Sequence, residues 1–240
     1  MRGIYSATSI MLAGLDYQAI VAKNLANANT TGYKADRVTL SEFETLLLEL
    51  NGDGSDPLGL GTTPETAAVD LDQGPLKETG RVLDIGISGS AFLAVQTPDG
   101  MRLTRDGSLG LNAQRQLVVG DGYQVLGTNG PITLPEGEVA ISEDGRIFVN
   151  GQSVQTLSLY AFDDPTTVQK AGENLFEATG RQATAGEVQI LQGYLEGSNV
   201  NIADSMTKMM AVLRTYEAAQ RVVLAQSETV DAAATQVGQV

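Results

Sequence analysis

The chain has no cysteine, no histidine and no tryptophan. Without cysteine there is neither a disulfide framework nor a thiolate metal site. Without histidine the usual general base and the commonest zinc ligand are missing, and a Ser-His-Asp triad is impossible. Aromatic residues make up 5% of the chain against 42% hydrophobic residues, which allows a core but a lean one with little material for a sugar-stacking platform. Basic residues are scarce as well: 15 Lys and Arg stand against 29 Asp and Glu, for a formal net charge of −14. That balance argues against nucleic acid as a partner, because phosphate binding needs a basic face. No apolar run is long enough to cross a bilayer, so no integral membrane segment is expected. The opening, Arg2 followed by Gly3 to Leu15, faintly imitates a signal peptide, with Ala26-Asn27-Ala28 in the place of its cleavage site. Ser6, Thr8 and Ser9 interrupt the would-be apolar core and Asp16 closes it early.

What the chain does have is a long periodic stretch near its end. Ile202, Met206, Met209, Leu213, Tyr216, Gln220, Val223, Ser227, Val230, Ala234 and Val237 are spaced alternately by four and three. This is the a/d seam of a coiled coil held over roughly five heptads. Charged residues such as Asp204, Lys208, Arg214, Glu217 and Arg221 fill the intervening positions, and Ser198 or Asn199 is in place to cap the start. Such a helix, at about 1.5 Å per residue, reaches on the order of 50 Å. A small domain cannot cover that length, so the seam needs a partner outside the middle of the chain. Gln220 and Ser227 make it a weak seam, of the kind that costs stability but fixes register. An ordinary amphipathic helix on its own domain is the alternative reading.

The beginning of the chain repeats the pattern with Ile4, Thr8, Met11, Leu15, Gln18, Ala22 and Leu25. Each stripe is too small and polar to fold well alone, and each is a natural partner of the other and of copies of itself. The first helix is predicted to end near Asn27 or Asn29, where Asn29-Thr30-Thr31-Gly32 forms a breaker cluster. Gly32 is expected to hold a positive φ there, at a site that buries little. The interface for assembly is therefore assigned to Ile4, Met11, Leu15, Ala22, Leu25, Ile202, Met206, Met209, Leu213, Tyr216, Val223 and Val230.

Between the helices the texture changes. Residues 51–61 (NGDGSDPLGLG) form a Gly/Asp-rich loop in which Gly52, Gly54, Asp56 and Leu58 match half of a single calcium-binding nonapeptide. Such sites need stacked repeats, and the EF-hand glycine and glutamate are absent, so a flexible linker is the better reading. From Val82 to Ile190 short alternating apolar runs are separated by Asp99-Gly100, Asp106-Gly107, Asp121-Gly122, Asn129-Gly130, Asp144-Gly145 and Asn150-Gly151. These dipeptides supply the positive φ of tight hairpins and point to an antiparallel all-β domain. The fold class is thus α+β: terminal helices pairing as a coiled-coil-like domain (1–32 plus 198–240), a linker or extended arm (33–81), and a central β-domain (82–197).

No constellation carries chemistry. Ser205-Met206-Thr207-Lys208 spells the S-x-x-K of penicillin-recognising enzymes, but the companion elements are missing and Met206 already belongs to the seam. Gly86-Ile87-Ser88-Gly89-Ser90 falls one residue short of a nucleophile elbow. Paired carboxylates such as Asp163-Asp164 and Glu143-Asp144 sit in turns, where Asp serves local hydrogen bonding. Gly59-Leu60-Gly61 neither follows a strand nor opens a helix, so it is not a dinucleotide site. No catalytic residue, cofactor or metal is expected.

Three stretches resemble one family. Asn24 to Lys34 (NLANANTTGYK) is similar to the N-terminal signature of bacterial flagellar rod, hook and hook-associated proteins. Leu83 to Ile87, Thr104 to Ser108 and Asp121 to Tyr123 resemble the opening of their middle domain. Gly193 to Asn201 (GYLEGSNVN), with Arg214 to Glu217 following, resembles their C-terminal signature. The signature positions are Asn24, Leu25, Ala26, Asn27, Asn29, Thr31, Gly32, Ser198, Asn199, Val200 and Asn201. Phe92 to Thr97, Asn129 to Ile132 and Pro135 to Gly137 are most similar to proximal-rod members, whereas Tyr194 and Thr30 to Tyr33 lean toward distal-rod members. The resemblance implies export by the flagellar type III apparatus without a cleaved signal peptide, and assembly in the periplasm. It also implies a basal-body rod subunit that polymerises with itself and with other axial proteins. Its inner tube would be made of packed terminal helices, with β-domains outside. The rival reading is a secreted β-rich binding protein whose helical ends form a trimeric stalk.

Overall fold

A computed structural model describes residues 2–37, 68–120, 122–162, 168–172, 174–177, 181–183 and 188–237. The 51–61 loop and most of the 33–81 arm lie outside the described residues, as do the side chains of Ile4 and Val230. The chain is α+β and divides into two units. One holds the two terminal helices; the other takes 27–35 together with 68–200. The β unit thus takes in both ends of the predicted linker, 33–35 and 68–81, together with 27–32.

In the helical unit, Arg2–Ala26 and Ile202–Val237 are α-helices. Asn201, rather than Ser198 or Asn199, caps the second: its Oδ1 accepts from the Asp204 amide at 3.1 Å and its carbonyl from Ser205 at 2.9 Å. A Cβ on Gly14 would meet Val212 Cγ1 at 3.8 Å, and Tyr17 lies close enough to Lys208 to influence its charge. The first helix therefore descends as the second rises, and the pair is antiparallel.

The rows that this pairing covers differ from the predicted seams at alternate positions. On the first helix Ala7, Met11, Gly14, Gln18, Val21 and Leu25 are buried or half-buried, while Thr8, Leu15 and Ala22 are exposed. On the second, Ser205, Met209, Val212, Tyr216, Ala219, Val223 and Gln226 are covered, while Ile202, Met206, Leu213 and Gln220 are exposed. In both helices one of the two alternating rows is shifted back by one residue. The shift brings small side chains (Ala7, Gly14, Ser205, Ala219) inward, which lets two backbones approach, and turns the bulky Leu15, Met206 and Leu213 outward.

In the β unit the central strand Ala91–Thr97 is buried on both faces. It pairs antiparallel with Gly100–Thr104 (Leu93 opposite Thr104), with Gln124–Gly127 (Val95 opposite Val125) and with Leu159–Ala161 (Leu159 opposite Leu93). Leu93 and Val95 point into one core with Ile87, Leu117, Val125 and Ile132; Phe92 and Ala94 point into a second with Leu103 and Phe176. Phe92 lies edge-on to Phe162 and Phe176, with centroids 5.1 Å and 5.0 Å away. A separate three-stranded sheet, Val139–Ile141, Arg146–Val149 and Gln152–Thr156, carries a bulge between Ile147 and Phe148. The two ends of the unit then meet: Val188–Gln192 pairs with Ile85–Gly89, and Tyr194–Glu196 with Leu76–Glu78.

The expected hairpin glycines hold positive φ at Gly100, Gly122, Gly130, Gly145 and Gly151. Gly107 does not; it is needed for another reason, since a Cβ there would fall 1.8 Å from the Ile85 carbonyl oxygen.

Candidate functional site

The signature residues do their work at the points where the chain leaves and enters its helices. Asn24 is buried at the end of the first helix, and its side-chain amide both donates to the Asp36 carbonyl and accepts from the Asp36 amide, each at 2.9 Å. Lys23 adds an ion pair to Asp36 at 2.8 Å. Leu25 is half-buried and Ala26 exposed. Asn27 closes the turn that follows, accepting the Thr30 amide on its carbonyl and the Thr30 hydroxyl on Oδ1, both at 3.1 Å. Asn29 is exposed, and the Thr31 carbonyl accepts from the Asn174 side-chain amide at 2.8 Å.

Gly32 has φ +67°. The expectation that it buries little is corrected: Gly32 is buried, and a Cβ would lie 2.4 Å from the Arg105 carbonyl carbon. The position requires glycine twice over, for its dihedral and for a close backbone approach.

Beneath Gly32 lies a set of charges that periodicity and motif spacing did not single out. Glu196, 1% exposed, accepts from the Lys34 ammonium at 2.7 Å and from the Gly74 amide at 2.9 Å on one carboxylate oxygen. Its other oxygen accepts from the Arg105 guanidinium at 2.8 Å. Lys34 also donates to the Asp72 carbonyl at 2.8 Å, and Arg105 to the carbonyls of Ile87, at 2.8 Å, and Gly89. The Arg105 guanidinium stacks over Phe92, 5.0 Å from the ring centroid. Burial pushes the Lys34 ammonium below the ordinary lysine range and the Arg105 guanidinium below its own, with Glu196 opposing both shifts.

Around this group the backbone is tied repeatedly. The Gly32 amide donates to the Glu196 carbonyl at 2.8 Å and the Gly197 amide to the Pro75 carbonyl at 2.9 Å. Asn199 accepts the Ala35 amide on Oδ1 at 2.8 Å and donates through Nδ2 to the Asp70 and Asp72 carbonyls, at 2.9 Å and 3.1 Å. Lys170 donates to the Lys34 carbonyl at 2.6 Å and lies over the Tyr33 ring at 4.4 Å. The buried Ser198 accepts the Val200 amide at 3.3 Å; Val200 is half-buried. Such an arrangement holds chain segments together and contains no paired nucleophile and base. Ser205 and Lys208 of the S-x-x-K string part company: Ser205 is buried, and Lys208 pairs with Asp204 on the surface at 2.7 Å.

Comparison with known proteins places these features in one family. A model described as flagella basal body rod protein matches residues 4–34, the flagellar hook protein FlgE/F/G D1 domain matches residues 86–149, and the flagellar basal body rod FlgEFG protein C-terminal model matches residues 191–236. The flagellar basal-body rod protein FlgF of Salmonella typhimurium is 34% identical over 249 residues, covering 95% of this chain and 94% of that one. FlgF of Escherichia coli is 33% identical over 239 residues, 92% of each chain. FlgG of Borreliella burgdorferi is 31% identical over 248 residues, 90% of this chain and 91% of its own. The chain belongs to the flagellar basal-body rod protein family. It is a structural protein of the bacterial flagellar basal body.

Proposed function

We propose that the chain is a subunit of the rod that polymerises helically through its terminal helices, by coiled-coil-like contacts, with copies of itself and with other axial proteins. The observation that carries this reading is the apolar row left outward on the second helix. Ile202, Met206, Met210 and Leu213 are 43%, 51%, 53% and 42% exposed, with Leu12 and Leu15 at 59% and 46% on the first. A helix pair that has already covered one row and still presents a second is prepared for further neighbours. The assigned interface residues Leu15, Ala22, Ile202, Met206 and Leu213 belong to that outward surface, whereas Met11, Leu25, Met209, Tyr216 and Val223 contribute to the row covered within the chain.

On this reading the subunit forms part of the drive shaft and of the wall of the export channel. It reaches its place through the flagellar type III apparatus and assembles in the periplasm, in the proximal rod in preference to the distal. The proximal assignment rests on Phe92 to Thr97, Asn129 to Ile132 and Pro135 to Gly137. Electron microscopy of the concentrated purified chain tests the central point. Open helical polymers are expected, and a closed trimer of fixed mass would contradict the reading.

A further inference from the structure

Glu196 joins segments that nothing local holds together. Its carboxylate binds Lys34, Gly74 and Arg105, and its carbonyl takes the Gly32 amide. The Lys34 and Glu196 partners are 162 residues apart in sequence, and the neighbouring Ala35 and Asn199 partners 164. No turn or helix forms any part of this set independently. A lysine and an arginine both under 2% exposed cannot keep their places without a carboxylate, because a buried unpaired charge is far more costly than the contacts it makes. Loss of one tie therefore undermines the rest.

We propose that these contacts form one cooperative clasp, centred on Glu196, that holds or releases the segment following the first helix (31–35) and the segment preceding the second (196–199) together, while the β core stays folded. The clasp meets the apolar cores through Arg105, which lies over the Phe92 ring and donates to the Ile87 carbonyl; the ties made by Gly32, Lys34 and Asn199 go to Ala35, Asp70, Asp72 and Glu196, outside both cores. A consequence follows for a growing or truncated chain. Until residues 193–199 are present, Lys34 and Arg105 lack their carboxylate, and 31–35 stays undocked.

Residue-resolved hydrogen exchange on the full chain tests the clasp, first with Asn199→Ala. That change removes the acceptor of the Ala35 amide and the donor to the Asp70 and Asp72 carbonyls, and it leaves the acceptors of the Gly32 and Gly74 amides in place. A cooperative clasp loses protection at Ala35, Gly32 and Gly74 by one common factor, about tenfold or more, with the buried amides of Ala94 and Leu117 unchanged. Loss confined to Ala35 overturns the proposal, and so does equal loss at Ala94 and Leu117. Glu196→Gln is expected to give the same pattern with a larger factor. A Glu196→Gln chain in which Ala94 and Leu117 lose all protection would show that Glu196 supports the core instead, and would equally overturn the clasp.

Discussion

Strand Ala91–Thr97 and the helix Ile202–Val237 are both rich in apolar side chains, and they dispose of them in opposite ways. Ala91 to Val95 are 0% exposed, with a core against each face of the strand. The helix covers one row, through Ser205, Met209, Val212, Tyr216 and Ala219, and leaves Met206, Met210 and Leu213 outward. The first region has satisfied its hydrophobic requirement inside the chain, whereas the second has met only part of it. The β unit holds its core inside the chain, and the outward helix row is the surface that the proposed polymerisation would use.

Damage to the β core is expected to have the largest effect. Phe92→Ala removes a ring buried between Phe162 and Phe176 and beneath Arg105, and should cost about 3–5 kcal/mol. A thermal melt of the purified chain should show the β transition shifted down by many degrees; an unchanged transition would mean that this core does not govern it.

Gly32→Val ranks next. It combines an unfavourable left-handed dihedral with a Cβ driven against the Arg105 backbone, a strain of at least about 1–3 kcal/mol. Secretion should continue, since an unfolded chain has no such conformation to violate, while assembly and motility fail. A fully motile Gly32→Val strain would mean that the turn is not required.

Leu213→Asp should have little effect on the β unit, within about 0.5 kcal/mol, because the side chain is exposed in the single chain. Polymerisation should nevertheless be abolished, since a charge would enter the helix surface proposed for assembly and would be costly to bury there. Normal motility with this variant alone would remove Leu213 from the assembly surface. The smallest effect is expected from Asp204→Asn, which loses a surface ion pair with Lys208. About 0.3–0.5 kcal/mol is the usual worth of such an i,i+4 pair, readable only as a slight change in helix content by circular dichroism.

These contrasts also show which parts of the molecule were legible in the sequence. Hairpins were, because Asp-Gly and Asn-Gly encode a local dihedral, and Gly100, Gly130, Gly145 and Gly151 adopt it. Helix periodicity was legible too, but only to within one residue on each face. Whether Gly14 or Leu15 turns toward the partner depends on how closely two backbones approach, and side-chain hydrophobicity alone favours the wrong one. The cap moved from Ser198 or Asn199 to Asn201 for a related reason: Ser198 and Asn199 are engaged with the β unit's own backbone. The Lys34, Arg105 and Glu196 group was not legible as a site. Each lies in a stretch that carries the family resemblance, but as one charge among its neighbours; the approach of Gly32 to the Arg105 backbone, the bond from the Gly32 amide to the Glu196 carbonyl and the pairing of 76–78 with 194–196 bring them into one buried place.

The most direct test of this division is hydrogen exchange compared between the isolated monomer and the assembled polymer. Fast exchange is expected across Met206 to Val223 in the monomer, where the helix pair covers one row only, and strong protection of the same amides after assembly. Protection in the β unit, at Ala94, Leu117 and Ile132, should be high in both states. Monomer helices as strongly protected as those β amides would show that the helical unit is already complete, and would contradict a helix surface left for assembly.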